Sequence, residues 1–141
     1  MERYCLDSYA ILAFIGGEEG AEVVERALVE ARAKRAEVYM STVSLAEFYN
    51  VVSREEGVEV ADRKYAELRM TSVIFDAPDE ETALQAGRFK TKYSRMKASF
   101  ALADAFCLAT AYKYGARMIT GDPDFSPVSE CKIIWIAAST T

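Results

Sequence analysis

The 141-residue chain is long enough for one domain with a real core, and its 51% apolar and 28% charged residues are the composition of an ordinary soluble fold. A net charge of −5 argues against a protein that coats nucleic acid by charge alone, although it leaves room for a local basic patch. Histidine is absent, which removes Ser-His-Asp and Cys-His triads, histidine general bases and nearly all zinc and iron chemistry, so any catalysis falls to carboxylates and a hard metal ion.

Arg3–Leu6 reads as a first strand, followed by a helix from Ser8 to about Ile15 that Gly16-Gly17 ends. A second helix covers about Glu18–Lys34, with Ala21, Val24, Leu28 and Ala31 along one face. Val38–Ser41 is the second strand, and a third helix runs from near Ser44 to Glu56, where Gly57 stops it. The fourth helix, about Glu59–Met70, carries Ala61, Tyr65 and Leu68 at helical spacing. Ser72–Phe75 is the third strand, and the turn Ala77-Pro78-Asp79 leads into a helix over Glu80–Tyr93. Phe100–Tyr114 is a nearly all-apolar helix stopped by Gly115, and Arg117–Thr120 and Ile133–Ile136 complete the strands.

The prolines Pro78, Pro123 and Pro127 all fall between periodic segments, and no repeat or low-complexity linker divides the chain, so residues 1–141 are expected to form a single domain. No apolar run, Ile133–Ala138 included, approaches the roughly 20 residues that span a bilayer. The acidic start Met1-Glu2-Arg3-Tyr4 does not read as a signal peptide, and a cytoplasmic location away from membranes is expected. Cys5, Cys107 and Cys131 lie far apart without the paired spacing of a zinc site and read as small core residues.

Short apolar strands separated by helices predict an α/β fold with a central parallel sheet flanked on both faces by helices. In such folds ligands bind outside the carboxyl ends of the strands, where the strand order reverses. Asp7 directly follows the first strand, and Asp122 lies two residues beyond the fourth in Thr120-Gly121-Asp122-Pro123-Asp124-Phe125. Glu47 sits early in the helix after strand two, and Asp104 early in the helix that feeds strand four, so four distant acids can converge on one cleft.

Taken singly, three of these acids have plain structural roles. Asp7 is a natural N-cap, Ser44-Leu45-Ala46-Glu47 is a capping box, and Gly121-Asp122-Pro123-Asp124 is ordinary turn chemistry. Asp104 is different, because Phe100–Ala109 is apolar all round and no Lys or Arg lies one turn away. A tertiary salt bridge is one solution for such a carboxylate, and a metal is another. Two like charges about 4 Å apart repel by about 4 kcal/mol at an effective dielectric of 20, so a shared pocket demands a cation. Oxygen ligands without His or Cys point to Mg²⁺ or Mn²⁺.

In chain order, Leu6-Asp7-Ser8-Tyr9-Ala10-Ile11-Leu12-Ala13-Phe14, Ser44-Leu45-Ala46-Glu47-Phe48-Tyr49-Asn50, Leu102-Ala103-Asp104-Ala105-Phe106-Cys107-Leu108-Ala109 and Ile119-Thr120-Gly121-Asp122-Pro123-Asp124-Phe125 resemble the four acidic motifs of PIN-domain nucleases. The resemblance is greatest to the VapC-type toxins of prokaryotic toxin–antitoxin pairs, and it spans almost the whole chain. It implies a PIN-like sheet flanked by helices, a Mg²⁺- or Mn²⁺-dependent endoribonuclease that hydrolyses RNA phosphodiesters, inhibition by a cognate antitoxin, and a homodimer for which the apolar first two helices could supply a surface. It further implies that Asp7, Glu47, Asp104 and Asp122 are the catalytic, metal-binding acids. Ser8 and Thr120 then match small hydroxyl residues beside the pocket, and Asp124 a less constant neighbour.

An acidic pocket needs something to draw in an anionic substrate. Arg88-Phe89-Lys90-Thr91-Lys92-Tyr93-Ser94-Arg95-Met96-Lys97 carries five basic residues in ten and no acids. On a helix Arg88, Lys92 and Arg95 form one stripe, a track for RNA phosphates with Tyr93 available for stacking, although a solvated helix face also explains such a run. Two other classes compete with the nuclease. A non-catalytic PIN-like scaffold would have no need of the complete acid set. A receiver or phosphotransfer protein would want paired acids after strand one and a lysine after the last strand, whereas Ser8 follows Asp7 and Lys132 precedes the last strand.

Overall fold

In the computed structural model, which describes residues 1–136, the chain runs β1 (Glu2–Leu6), α1 (Ser8–Ile15), α2 (Ala21–Arg32), β2 (Ala36–Ser41), α3 (Thr42–Glu56), α4 (Val58–Arg69), β3 (Val73–Asp76), α5 (Glu80–Ser94), α6 (Leu102–Tyr114), β4 (Arg117–Thr120), a 3₁₀ turn (Pro123–Phe125) and β5 (Ile133–Trp135). The strands pair only in parallel, in the order β3-β2-β1-β4-β5. The expected α/β architecture, a parallel sheet between helical layers, is therefore present.

Parallel strands buried on both faces need apolar residues at consecutive positions, and β1 and β4 supply them. Leu6 packs with Ile11, Val24, Met40, Phe48 and Ile119 on the face covered by α1–α4. Its neighbour Cys5 packs with Leu108, Met118 and Phe125 on the face covered by α5 and α6. Each such fully buried aliphatic side chain contributes about 1.5–3 kcal/mol. Cys5 and Cys107 are buried free thiols 4.0 Å apart at Sγ and Cys131 is half-buried, in keeping with core packing. Among the described residues, no helix is long and apolar enough to cross a membrane.

Several element boundaries differ from expectation for identifiable reasons. Helix α2 begins at Ala21 rather than Glu18, because Gly20 turns the chain at φ 92 with Ile136 pressed against it. Helix α3 begins at Thr42, capped by the Ser41 hydroxyl, which accepts the Val43 N–H at 3.1 Å. Ser44 is consequently a buried interior residue, and the expected Ser44–Glu47 capping box does not form. Helix α6 begins at Leu102 rather than Phe100, because the Phe100 ring is buried against Tyr93 and Phe125. The last strand ends at Trp135, although the Ile136 N–H still donates to the Thr120 carbonyl at 3.1 Å. Ala137 and Ala138 of the apolar run Ile133–Ala138 lie outside the described residues. Val24, Ala27 and Leu28 of α2 are buried in the core, whereas Tyr9 of α1 and Val29 of α2 are exposed and Leu12, Phe14 and Ile15 are half-buried.

Candidate active site

Strand β1 lies at the centre of the sheet, with β2 and β3 on one side and β4 and β5 on the other, so the strand order reverses between β1 and β4. Their carboxyl ends are held level by the pairing of Leu6 with Ile119. The cleft belongs here on topological grounds, and the acids are here.

Asp7 leaves β1 in extended conformation and caps α1, its Oδ1 accepting the Ala10 N–H at 2.9 Å. Its other oxygen accepts the hydroxyl of Thr120, the last residue of β4, so one carboxylate ties the two strands across the reversal point. Asp7 is only 5% exposed. Burial pushes its carboxyl up from 3.8 to about 7, with the charges of Asp122 and Asp104 adding to the effect and the Thr120 and Ala10 hydrogen bonds opposing it.

Asp104 is the third residue of α6, and its Oδ2 accepts the Ala101 N–H at 2.8 Å. The sequence suggested an apolar helix buried throughout. Its first turn instead opens outward, with Leu102 53% exposed and Asp104 half-buried. Burial also pushes the Asp104 carboxyl up to about 7, and Asp122, Glu47 and Asp124 raise it further against the Ala101 hydrogen bond. Asp122 caps the 3₁₀ turn by accepting the Asp124 N–H at 2.9 Å, while its own N–H donates to Thr120 Oγ1 at 3.0 Å. Its carboxyl is raised by burial and by the charges of Asp124 and Glu47. Glu47 lies in the second turn of α3 and accepts a hydrogen bond from the Ser8 hydroxyl.

Asp104, Asp122 and Asp124 each place one carboxylate oxygen within 4.8 Å of the other two. At that separation each pair of charges would repel by at least about 3.5 kcal/mol at an effective dielectric of 20. Among the described residues, no Lys or Arg approaches within 4.0 Å of these three, Asp7 or Glu47, so no salt bridge offsets the repulsion. These three carboxylates could together hold a small divalent cation, which would offset their repulsion. The donor set, oxygen only, suits Mg²⁺ or Mn²⁺.

The structure thus brings Asp104 and Asp122 together with Asp124, which the sequence suggested only as a neighbour. Asp7 and Glu47 flank the trio, each held by a hydroxyl that the sequence had placed beside the pocket, Thr120 and Ser8 respectively. Ser99 was not anticipated, and its hydroxyl donates to Asp124 Oδ1 at 2.6 Å.

The basic stripe is only partly free. Arg88, Thr91, Lys92, Arg95 and Met96 line an open pocket of about 460 Å³. Lys92, however, is paired with Glu130 at 2.7 Å. Tyr93 cannot stack on a base as expected: it is 1% exposed, and its hydroxyl is hydrogen-bonded to Glu130.

The family model for the PIN domain matches residues 4–130, and the chain belongs to that family of nucleases. No curated protein matches the sequence. Among solved structures, the fold is similar to VapBC2 from Rickettsia felis bound to a DNA fragment from their promoter (TM-score 0.73, 16% identity, 94% of this chain and 97% of that one). It is also similar to VapC20 from Mycobacterium tuberculosis, described as a Sarcin-Ricin loop cleaving toxin (TM-score 0.69, 20% identity, 88% and 93%). A third likeness is to DNA-bound VapBC from Salmonella typhimurium (TM-score 0.73, 16% identity, 97% and 100%).

Proposed function

We propose that this PIN protein is a divalent-metal-dependent endoribonuclease, and that it is the toxin of a toxin–antitoxin pair. The observation that carries the nuclease assignment is the meeting of Asp104, Asp122 and Asp124 within 4.8 Å, with no Lys or Arg among the described residues within 4.0 Å of them. The antitoxin partner is supported by the fold-level likeness to toxin–antitoxin complexes. A homodimer of single-domain chains completes the proposal.

Asp104, Asp122 and Asp124 would hold the ion, with Asp7 joining them from behind. Mg²⁺ or Mn²⁺, when bound, lowers the pKa of water and stabilises charge on the phosphate oxygens. Thr120 and Ala10 fix the Asp7 carboxylate through two hydrogen bonds, and the Ala101 N–H fixes Asp104. Glu47, which accepts a hydrogen bond from Ser8, would align the attacking water and take its proton. Attack at phosphorus with loss of the 3′ oxygen leaves a 5′-phosphate and a 3′-hydroxyl.

Incubation of total RNA with the protein in Mn²⁺ and in EDTA tests this. Cleavage should require the ion, yield 5′-phosphate ends, and fall by more than about a hundredfold in Asp104→Asn without loss of helical circular dichroism. A 2′,3′-cyclic phosphate product, or equal cleavage in EDTA, would exclude the mechanism. A folded wild type that binds a partner protein yet cleaves no RNA would instead favour the scaffold.

A further inference from the structure

Helices α5 and α6 are joined by residues 95–101, and this loop reaches the acid trio at several points. The Ser99 hydroxyl donates to Asp124 at 2.6 Å, and the Ala101 N–H donates to Asp104 at 2.8 Å. The positive charge of Lys97 draws the Asp122 carboxyl downward, against the burial and neighbouring acids that raise it. The loop's backbone is itself pinned. The Met96 and Lys97 N–H groups both donate to the Tyr93 carbonyl, at 3.0 and 2.9 Å, and the Phe100 N–H donates to the Lys97 carbonyl at 3.0 Å.

Lys97 is half-buried, whereas Arg95, Met96, Ala98 and Ser99 around it are exposed. Among the described residues its ammonium makes neither a hydrogen bond nor an ion pair within 4.0 Å. Lys90, by contrast, donates to the Phe100 carbonyl, and Lys92 is held by Glu130. Of the lysines in this basic run, Lys97 is therefore the uncommitted one, half-buried in the loop whose Ser99, two residues on, is hydrogen-bonded to Asp124. A divalent ion leaves the three carboxylates with a net negative charge, to which Asp7 and Glu47 add, so an anionic substrate needs a further cation at this place.

We propose that the loop of residues 95–101 is the substrate-gripping element of the site, and that Lys97 contacts the phosphate being cleaved, with the exposed Arg95 and Arg88 guiding the RNA backbone towards it. The proposal rests on the nuclease assignment above. It differs from a role for Lys97 as a mere counter-ion of Asp122, because a counter-ion would affect metal binding and leave the substrate's phosphates untouched.

Lys97→Gln and Lys97→Arg, compared with the wild type in Mn²⁺, separate these cases. Lys97→Gln should lose about tenfold in kcat/KM on RNA, and its binding to a 2′-O-methyl oligonucleotide should show a log–log salt slope shallower by about 0.7, one phosphate contact on a single strand. Lys97→Arg should restore most of both, and calorimetric Mn²⁺ affinity should stay within about twofold. Cleavage and salt slope equal to wild type in Lys97→Gln would overturn the loop proposal while leaving the nuclease assignment standing. A changed Mn²⁺ affinity with an unchanged slope would overturn it in favour of the counter-ion. A wild type that cleaves no RNA in Mn²⁺ would remove the nuclease assignment, and the role of Lys97 with it.

Discussion

Without metal the protein should become less stable as pH rises from 5 to 8, against the usual behaviour of carboxylates. The Asp7 carboxyl, raised from 3.8 to about 7 chiefly by burial, binds its proton more tightly in the folded state than in the unfolded chain. Its contribution to stability is therefore complete below the unfolded value near 4 and is lost as pH climbs through about 7. A shift of about three units corresponds to about 4 kcal/mol in all, of which about 3 kcal/mol is lost between pH 5 and pH 8. At roughly 3 °C per kcal/mol for a chain of this size, Tm in EDTA should fall by about 9 °C over that interval. Asp104 and Asp122 are raised as well and act in the same direction.

Two controls isolate the cause. Asp7→Asn keeps an acceptor for the Ala10 N–H and removes the titration, so the pH-dependent loss in EDTA should shrink by about 3 kcal/mol. Saturating Mn²⁺ should stabilise the wild type far more at pH 8 than at pH 5, since the ion must displace protons at the lower pH. Chemical denaturation with urea at both pH values, with and without Mn²⁺, measures all three effects. A stability in EDTA that is flat or rises from pH 5 to pH 8 would refute the placement of a buried, repelled carboxylate at the β1/β4 junction.

Thr120→Val removes the hydroxyl that stabilises the Asp7 charge, so the pH midpoint for Mn²⁺ binding should move upward and urea stability should fall by about 1–2 kcal/mol. Gly20→Ala introduces a Cβ 2.5 Å from that of Ile136 at φ 92, and a loss of about 3 kcal/mol should appear as a Tm lower by about 9 °C. Arg88→Glu and Arg95→Glu should weaken RNA binding in a gel-shift assay by about tenfold each while leaving Mn²⁺ affinity intact. Lys92→Glu should mainly destabilise the fold, because it sets a second acid against Glu130, and a Tm equal to wild type would contradict that.

Much of the fold and part of the site could be read from the sequence, and the misreadings share one origin. Asp7 and Asp122 were legible because strand ends are marked by local apolar runs, and the sheet's topology then places those ends together. The Ser44–Glu47 box satisfied every local rule, yet Ser41 starts the helix and Glu47 takes its hydrogen bond from Ser8, 39 residues away. Phe100 continued an apolar run, but tertiary packing on Tyr93 and Phe125 holds it outside the helix, which brings Asp104 into the exposed first turn. Tyr93 looked accessible from its basic neighbours until Glu130 engaged it from 37 residues further on. The basic run was visible as composition, whereas which of its lysines are already committed, Lys90 to the Phe100 carbonyl and Lys92 to Glu130, depends on how the chain folds back.

The plain structural roles of these acids do occur, and they still do not account for the site. Asp79 and Asp7 are both N-caps, each accepting a backbone N–H three residues on, at 2.8 and 2.9 Å. A cap stabilises the ionised form and should hold a carboxyl below its ordinary value. Asp79, exposed at the start of α5, obeys and is lowered by the Thr82 N–H. Asp7, with the same cap and an added hydroxyl donor, goes the other way and reaches about 7. Capping alone therefore cannot be why Asp7 is seated where it is. A carboxylate kept in a buried place beside Asp104 and Asp122, at a standing cost to the metal-free fold, is what the divalent-cation site proposed above requires.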